Sequence, residues 1–222
     1  DPVTIVDEFN NWIRKELDFF QEARNIERFR HNFEHDDTIR PPEVYWDLCT
    51  PRILTMEDIG GVPIADLQQL KDNGLNPRVI AHNGAHALLR QIFEHGFFHG
   101  DPHPGNLKVL PGNVIVPLDF GLMGRLNEEL LEKLAGLLVG VVNRDTDKVI
   151  RMLHNMQAFD ERTDASALKD DIEDFIERHY AVPFYQIDAE KLTNEMLHLT
   201  SRHHMRLPRN LYLLGKALVL ME

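Results

Sequence analysis

Three side chains in one short stretch could share a cation. In FFHGDPHPGNLKVLPGNVIVPLDFG, residues 97–121, Asp101 and Asp119 are acids and Asn106 lies five residues after the first. Leu107 to Leu110 is apolar apart from Lys108, Pro111-Gly112-Asn113 is a turn signal, and Val114-Ile115-Val116 is β-branched. This pattern predicts strand, tight turn and strand. A hairpin folds its ends back together, so Asp101, Asn106 and Asp119 can meet in space. An acid, an amide oxygen and a second acid make an all-oxygen donor set suited to Mg²⁺. His99 and His103 flank Asp101, and a His-Asp-His cluster also suggests a zinc hydrolase. That reading is the weaker one, because the cluster lies on a loop without the i,i+4 helical spacing of zinc enzymes.

The elements around this stretch must hold it. Val3, Val6, Phe9, Ile13, Leu17 and Phe20 recur at helical spacing, and Ala23, Ile26, Phe29 and Phe33 continue the stripe, so residues 3–34 are expected to form one helix. Glu16, Asp18 and Glu22 lie within a few turns of it, with Glu22 roughly 120° around the helix from Glu16. Three such acids are ordinarily a solvated face. A loop with Pro41 and Pro42 follows, then two expected strands, Val44–Leu48 and Arg52–Met56. Glu57-Asp58-Ile59-Gly60-Gly61 breaks regular structure. Asp66–Asp72 reads as a short helix and residues 78–95 as a longer one, stopping at Gly96. After Gly121 the chain turns helical: 127–142, 145–157, 164–180, 188–200 and 208–221, with Asn127 and Asp145 as N-caps. His203-His204 is expected in a solvated turn.

The fold class expected is α+β, mainly α. With 222 residues, 43% of them hydrophobic, the chain can bury one sizeable core or two smaller ones. A net charge of −12 argues against a nucleic-acid surface and is most simply a matter of solubility. A single cysteine, Cys49, excludes an internal disulfide and fits a reducing compartment. No apolar run approaches the roughly 20 residues that a membrane-spanning helix requires.

Asp-x-x-x-x-Asn followed by Asp-Phe-Gly is the order of catalytic parts in protein kinases. HGDPHPGN at 99–106 with DFGLMG at 119–124 resembles the UbiB/ADCK family of atypical, protein-kinase-like proteins. KELDFFQEARN at 15–25 resembles that family's ExD…EA motif, and LPRNLYLLGKALVLME at 207–222 a late helix of the same family. The resemblance implies a protein-kinase-like C-lobe with a catalytic-loop/DFG hairpin at 57–222. Residues 1–56 would be a remnant of the N-lobe, comprising helix C and one hairpin.

The resemblance also implies roles. Asp101 takes the catalytic-base position, Asn106 and Asp119 the metal positions, and Glu22 the helix-C position that pairs with an ATP-binding lysine. Glu16 and Asp18 form the family's ExD pair. His103 stands where kinases place a lysine beside the γ-phosphate, and His99 is the structural histidine of the catalytic loop. The backbone of Glu57 to Ile59 becomes a hinge that takes the adenine edge. ATP and Mg²⁺ are the implied cofactors, and isoprenoid lipid precursors and lipid-biosynthesis proteins the implied partners. The implied setting is ubiquinone or related lipid biosynthesis, with the full-length protein at a bacterial inner membrane, mitochondrion or plastid. The family's phosphate loop, strand lysine and KxGQ motif should precede Glu16, and the fifteen residues there fit none of them. These 222 residues alone are therefore expected to fold but to hydrolyse ATP negligibly. Two alternatives remain: a small-molecule phosphotransferase of the aminoglycoside or choline kinase type, and a pseudokinase that holds nucleotide or lipid without turnover. Pro102, the intact Asp-Phe-Gly and the EA-containing helix favour UbiB/ADCK over the first; complete Asp101, Asn106 and Asp119 count against the second.

Overall fold

The hairpin forms where the turn residues demand it. In the computed structural model, which describes residues 18–180 and 188–221, Leu107–Leu110 (β3) pairs antiparallel with Val114–Pro117 (β4) in the register Leu107↔Pro117 to Leu110↔Val114. Gly112 and Asn113 turn the chain with φ of 86° and 64°, a conformation that glycine and asparagine accept most readily. The Asn113 side chain also accepts the Asn76 N–H at 2.7 Å, tying the hairpin tip to the start of a helix.

The chain divides into two compact units between Met123 and Gly124. In the first, Val62–Pro63 (β1) adds to β3 on the edge away from β4, giving the order β1-β3-β4. Helices Phe19–Asn32 (α1), Leu67–Asp72 (α2) and Pro77–Phe93 (α3) surround it, and Phe97–His99 (β2) leads into the acidic loop. Met123–Arg125 (β5) carries the chain out of this unit. One core joins Ala23, Ile26 and Phe29 of α1 to Val109, Ile115 and Phe120. Phe29, Phe97 and Phe120 are wholly buried, each contributing about 1.5–3 kcal/mol. Because α1 shares its core with the hairpin, the division expected between residues 56 and 57 falls inside this unit.

Two local expectations need correction. The first helix does not run through Asp18. That residue is extended (φ −104°, ψ 90°) and its carboxylate accepts the Phe20 N–H, so it caps a helix beginning at Phe19. An aspartate able to bond its own downstream backbone competes with helix continuation. The expected stretch 3–17, with Glu16, lies outside the described residues. The strands expected at 44–48 and 52–56 reduce to isolated bridges, Val44↔Met56 and Thr50↔Ile53. Trp46–Leu48 winds into a 3₁₀ turn instead, and Pro51 brings no backbone donor to a ladder.

The second unit is helical: Glu128–Val142 (α4), Thr146–Asn155 (α5), Ala165–Tyr180 (α6), Ala189–Arg202 (α7) and Arg209–Leu220 (α8). Asn127, Asp145, Asp164 and Asp188 cap the first four through backbone N–H groups of the first turn. Its core gathers Val149, Leu153, Leu168, Ile172 and Ile176. His203 is 7% exposed rather than solvated, its Nε2 2.7 Å from the Asp171 carboxylate. The pairing of this buried histidine with a half-buried acid was not legible from two adjacent histidines. His204 does sit exposed in the turn.

Close approach of the segment entering β1 to β3 depends on Gly61, where a Cβ would stand 2.7 Å from the Val109 carbonyl oxygen. Gly61→Ala is therefore expected to cost about 1–3 kcal/mol of unfolding free energy in a denaturant titration. Gly60→Ala, whose Cβ meets nothing within 4 Å, should stay within about 0.5 kcal/mol. Equal losses at both positions would mean that the sheet does not impose this approach.

Candidate active site

Two backbone clamps hold the acidic loop against the turn that follows the hairpin. The Gly100 N–H donates to the Leu122 carbonyl at 2.8 Å, and the Leu118 N–H donates to the Asn106 carbonyl at 2.9 Å. Asp101 follows the first clamp directly, and Asp119 lies between the two. Within the loop, the His103 N–H donates to the Asp101 carbonyl and the Asn106 N–H to the His103 carbonyl, winding Pro104–Asn106 into a 3₁₀ turn. That turn delivers the Asn106 amide nitrogen to 3.3 Å from Asp119 Oδ2. The other carboxylate oxygen of Asp119 accepts the Gly121 N–H at 2.9 Å. Asp101 is half-buried and Asp119 exposed.

Helix α1 supplies the far wall. Glu22 Oε1 accepts the Phe120 N–H at 3.0 Å, and Asn25 Nδ2 donates to the Phe120 carbonyl at 2.9 Å. One turn of α1 thus satisfies both backbone polar groups of a wholly buried residue, which would otherwise be left unpaired. The Phe120 ring packs edge-on against Phe29 at 5.2 Å and beside His99 at 5.8 Å. Glu22 therefore belongs to the Asp119-Phe120-Gly121 turn, not to an outer acidic face.

The two loop histidines have backbone partners. His99 Nδ1 accepts the Asp101 N–H at 3.1 Å, and His103 Nδ1 accepts the Gly105 N–H at 3.0 Å. An Nδ1 that accepts carries no proton, so these bonds select the Nε2-protonated neutral tautomer. His99 is buried; His103 is exposed. Among the described residues no group of three or more His, Cys, Asp or Glu side chains is arranged to hold a metal. The remaining set, the Asp119 carboxylate with the Asn106 amide oxygen, fits a hard cation that keeps several waters, as Mg²⁺ does. The Asn106 nitrogen faces Asp119 in the structure, so its oxygen reaches the same place only by rotation of the amide.

The expected hinge residues are already engaged. Glu57 is held bidentate by Arg40 at 2.8 and 2.9 Å, which keeps its carboxyl below the usual carboxylate range. The Glu57 N–H donates to the Glu43 carbonyl, and the Ile59 carbonyl accepts the Lys108 ammonium. Lys108 and Gln91 escaped the sequence reading. Gln91 is buried and its side-chain oxygen accepts the His99 N–H at 2.9 Å, fixing the entry to the loop. Both carried a signal: a single polar residue on an otherwise apolar strand, and one on the otherwise apolar inner face of a helix.

Comparison with known proteins shows the family. Residues 1–153 match the family model described as the ABC1 atypical kinase-like domain. The chain belongs to that family. Residues 172–222 match the UbiB helical domain. The Arabidopsis thaliana chloroplastic protein ACTIVITY OF BC1 COMPLEX KINASE 1 is 34% identical over 218 residues, covering 98% of this chain and 32% of its own length. The probable protein kinase UbiB of Pseudomonas putida is 32% identical over 225 residues, covering all of this chain and 42% of its own. The chain thus spans about a third to two-fifths of these relatives. A solved Mycobacterium tuberculosis structure, the Rv3197–erythromycin complex, matches all of this chain and 58% of that one with a TM-score of 0.66 at 20% identity, and so shares the kinase-like fold.

If Glu22 positions the turn through the Phe120 N–H, Glu22→Ala should lower unfolding free energy by about 1–3 kcal/mol. Glu22→Gln keeps an acceptor oxygen and should lose less than half as much. Denaturant titration of the two variants decides; equal losses would mean that the carboxylate, rather than the acceptor, matters.

Proposed function

We propose that this ABC1-family chain carries the metal- and nucleotide-handling site of an ATP-dependent phosphotransferase or ATPase. The observation that carries the reading is the meeting of Asn106 and Asp119 at the base of the hairpin, 3.3 Å apart, with Asp101 on the loop clamped beside them. Mg²⁺, when bound, would neutralise charge on the transferring phosphate, and Asn106 and Asp119 are the residues that would hold it. Asp101, on the neighbouring loop, orients the attacking hydroxyl or water and accepts its proton. His103 is exposed on the same loop with Nε2 protonated, and so offers a donor to a phosphate oxygen. Glu22 keeps the Asp119 turn in place. The Glu57–Ile59 backbone is the proposed adenine edge; with the Glu57 N–H and the Ile59 carbonyl both bonded within the chain, only groups between or beside them are left to take it.

The UbiB name of the bacterial relatives supports a role in ubiquinone or other isoprenoid-lipid biosynthesis, for which lipid precursors and lipid-biosynthesis proteins are the proposed partners. The relatives also support a bacterial or plastid setting; for the full-length protein the proposed place is a bacterial inner membrane, a mitochondrion or a plastid. No helix among the described residues is long and apolar enough to cross a membrane.

The test is a thermal-shift titration of the full-length protein with Mg·ATP, beside its Asp119→Asn variant. Replacing an ionised ligand with a neutral one is expected to weaken apparent Mg·ATP affinity at least about tenfold, the equivalent of about 1.4 kcal/mol. Identical titrations would overturn the metal assignment.

A further inference from the structure

The helical unit contains a second site, unrelated to the acidic loop. A cavity of about 560 Å³ lies among α4, α5, α6 and α7, within the range of roughly 300–1,000 Å³ typical of ligand sites. Its floor is formed by Leu153, Leu168 and Ile172, which are 8%, 0% and 7% exposed. Its rim is formed by Val142, Tyr180 and Met196, which are 70%, 53% and 48% exposed. The polar groups on its wall are already satisfied within the chain. Thr200 donates its hydroxyl to the Leu197 carbonyl at 2.8 Å, and His179 Nε2 lies 3.0 Å from the Glu195 carboxylate. The interior therefore offers an occupant chiefly apolar contact.

The rim supplies a charge. Arg144, exposed two residues beyond Val142, lays its guanidinium over the Tyr180 ring at 3.4 Å from the centroid. Among the described residues no carboxylate lies within ion-pair distance of it, in contrast with Arg178 and Arg202 of the same unit, which pair with Glu195 and Asp171. The stacked guanidinium is held at the mouth of an apolar recess with its N–H donors unspent on any acid.

We propose that this cavity binds a single-chain anionic amphiphile, its hydrocarbon tail reaching the Leu168 floor and its acidic head meeting Arg144. The shape selects the tail: a broad protein face would cover the rim and leave the floor empty, whereas an unbranched chain reaches it. Arg144 selects the head, since a planar guanidinium suits carboxylate and phosphate alike. The proposal does not depend on the nucleotide site.

Isothermal titration of the chain with dodecanoate, dodecyl phosphate and dodecanol, each below its aggregation threshold, tests it. The expected result is saturable binding of the acids at one per chain, with dodecanol at least about tenfold weaker. The stronger of the two acids identifies the head group. Leu137→Trp, which fills the cavity from α4, should abolish binding, and Arg144→Glu should weaken the acids at least about tenfold while leaving dodecanol unchanged. Circular dichroism establishes that Leu137→Trp folds; if it does not, Arg144→Glu decides alone, since that side chain is exposed. Absence of saturable binding, indifference to both variants, or equal affinity for acid and alcohol would overturn the proposal. So would light scattering that shows the cavity face closed by a second copy, in a dimer that dodecanoate does not disturb.

Discussion

Everything at the acidic site depends on how Phe120 is buried. Its ring has no exposure, so its N–H and carbonyl must find partners inside the protein. Glu22 and Asn25, three residues apart on one face of α1, supply them. The residue before Phe120 is Asp119 and the residue after it is Gly121, whose N–H returns to the Asp119 carboxylate. A helix and a turn 98 residues apart in sequence are thereby locked together, and the carboxylate is aimed by its neighbour's burial together with its bonds from the Gly121 N–H and the Asn106 amide.

The second constraint is the hairpin. Its register places Leu107 opposite Pro117, so Asn106 and Leu118 meet at its open end and bond backbone to backbone. Leu107 and Val109 point into the core, and Lys108, on the opposite face, caps the Ile59 carbonyl. The same alternation that builds the core therefore determines which residues are free to act at the hairpin's base. Gly61 lets the third strand approach closely enough to complete this sheet.

Local signals made the hairpin, the capped helices and the approach of Asn106 to Asp119 legible in the sequence. Turn residues, side-chain period and N-cap residues act over a few positions, and the structure keeps them. What the sequence could not disclose was long-range pairing. By helical period alone Glu22 is one acid among three; the family resemblance sets it apart, but nothing local points to the Phe120 N–H at its carboxylate. His203 looked solvated because Asp171 lies 32 residues away. Asp18 stood within the expected helix, and its competing bond to the Phe20 N–H outweighed the period. The segment 44–56 had strand-like composition but no ladder to join, since β1, β3 and β4 form their sheet without it.

The central claim is that a divalent cation is held by Asn106 and Asp119 at the base of the hairpin. Amide-resolved NMR of the chain under substoichiometric Mn²⁺ tests it most directly, because a paramagnetic ion broadens the nearest protons first. The account predicts that the Asn106 side-chain amide and the Phe120 and Gly121 backbone amides broaden before any others. Retention of those signals while amides of the acid-rich helix α6 vanish would contradict it.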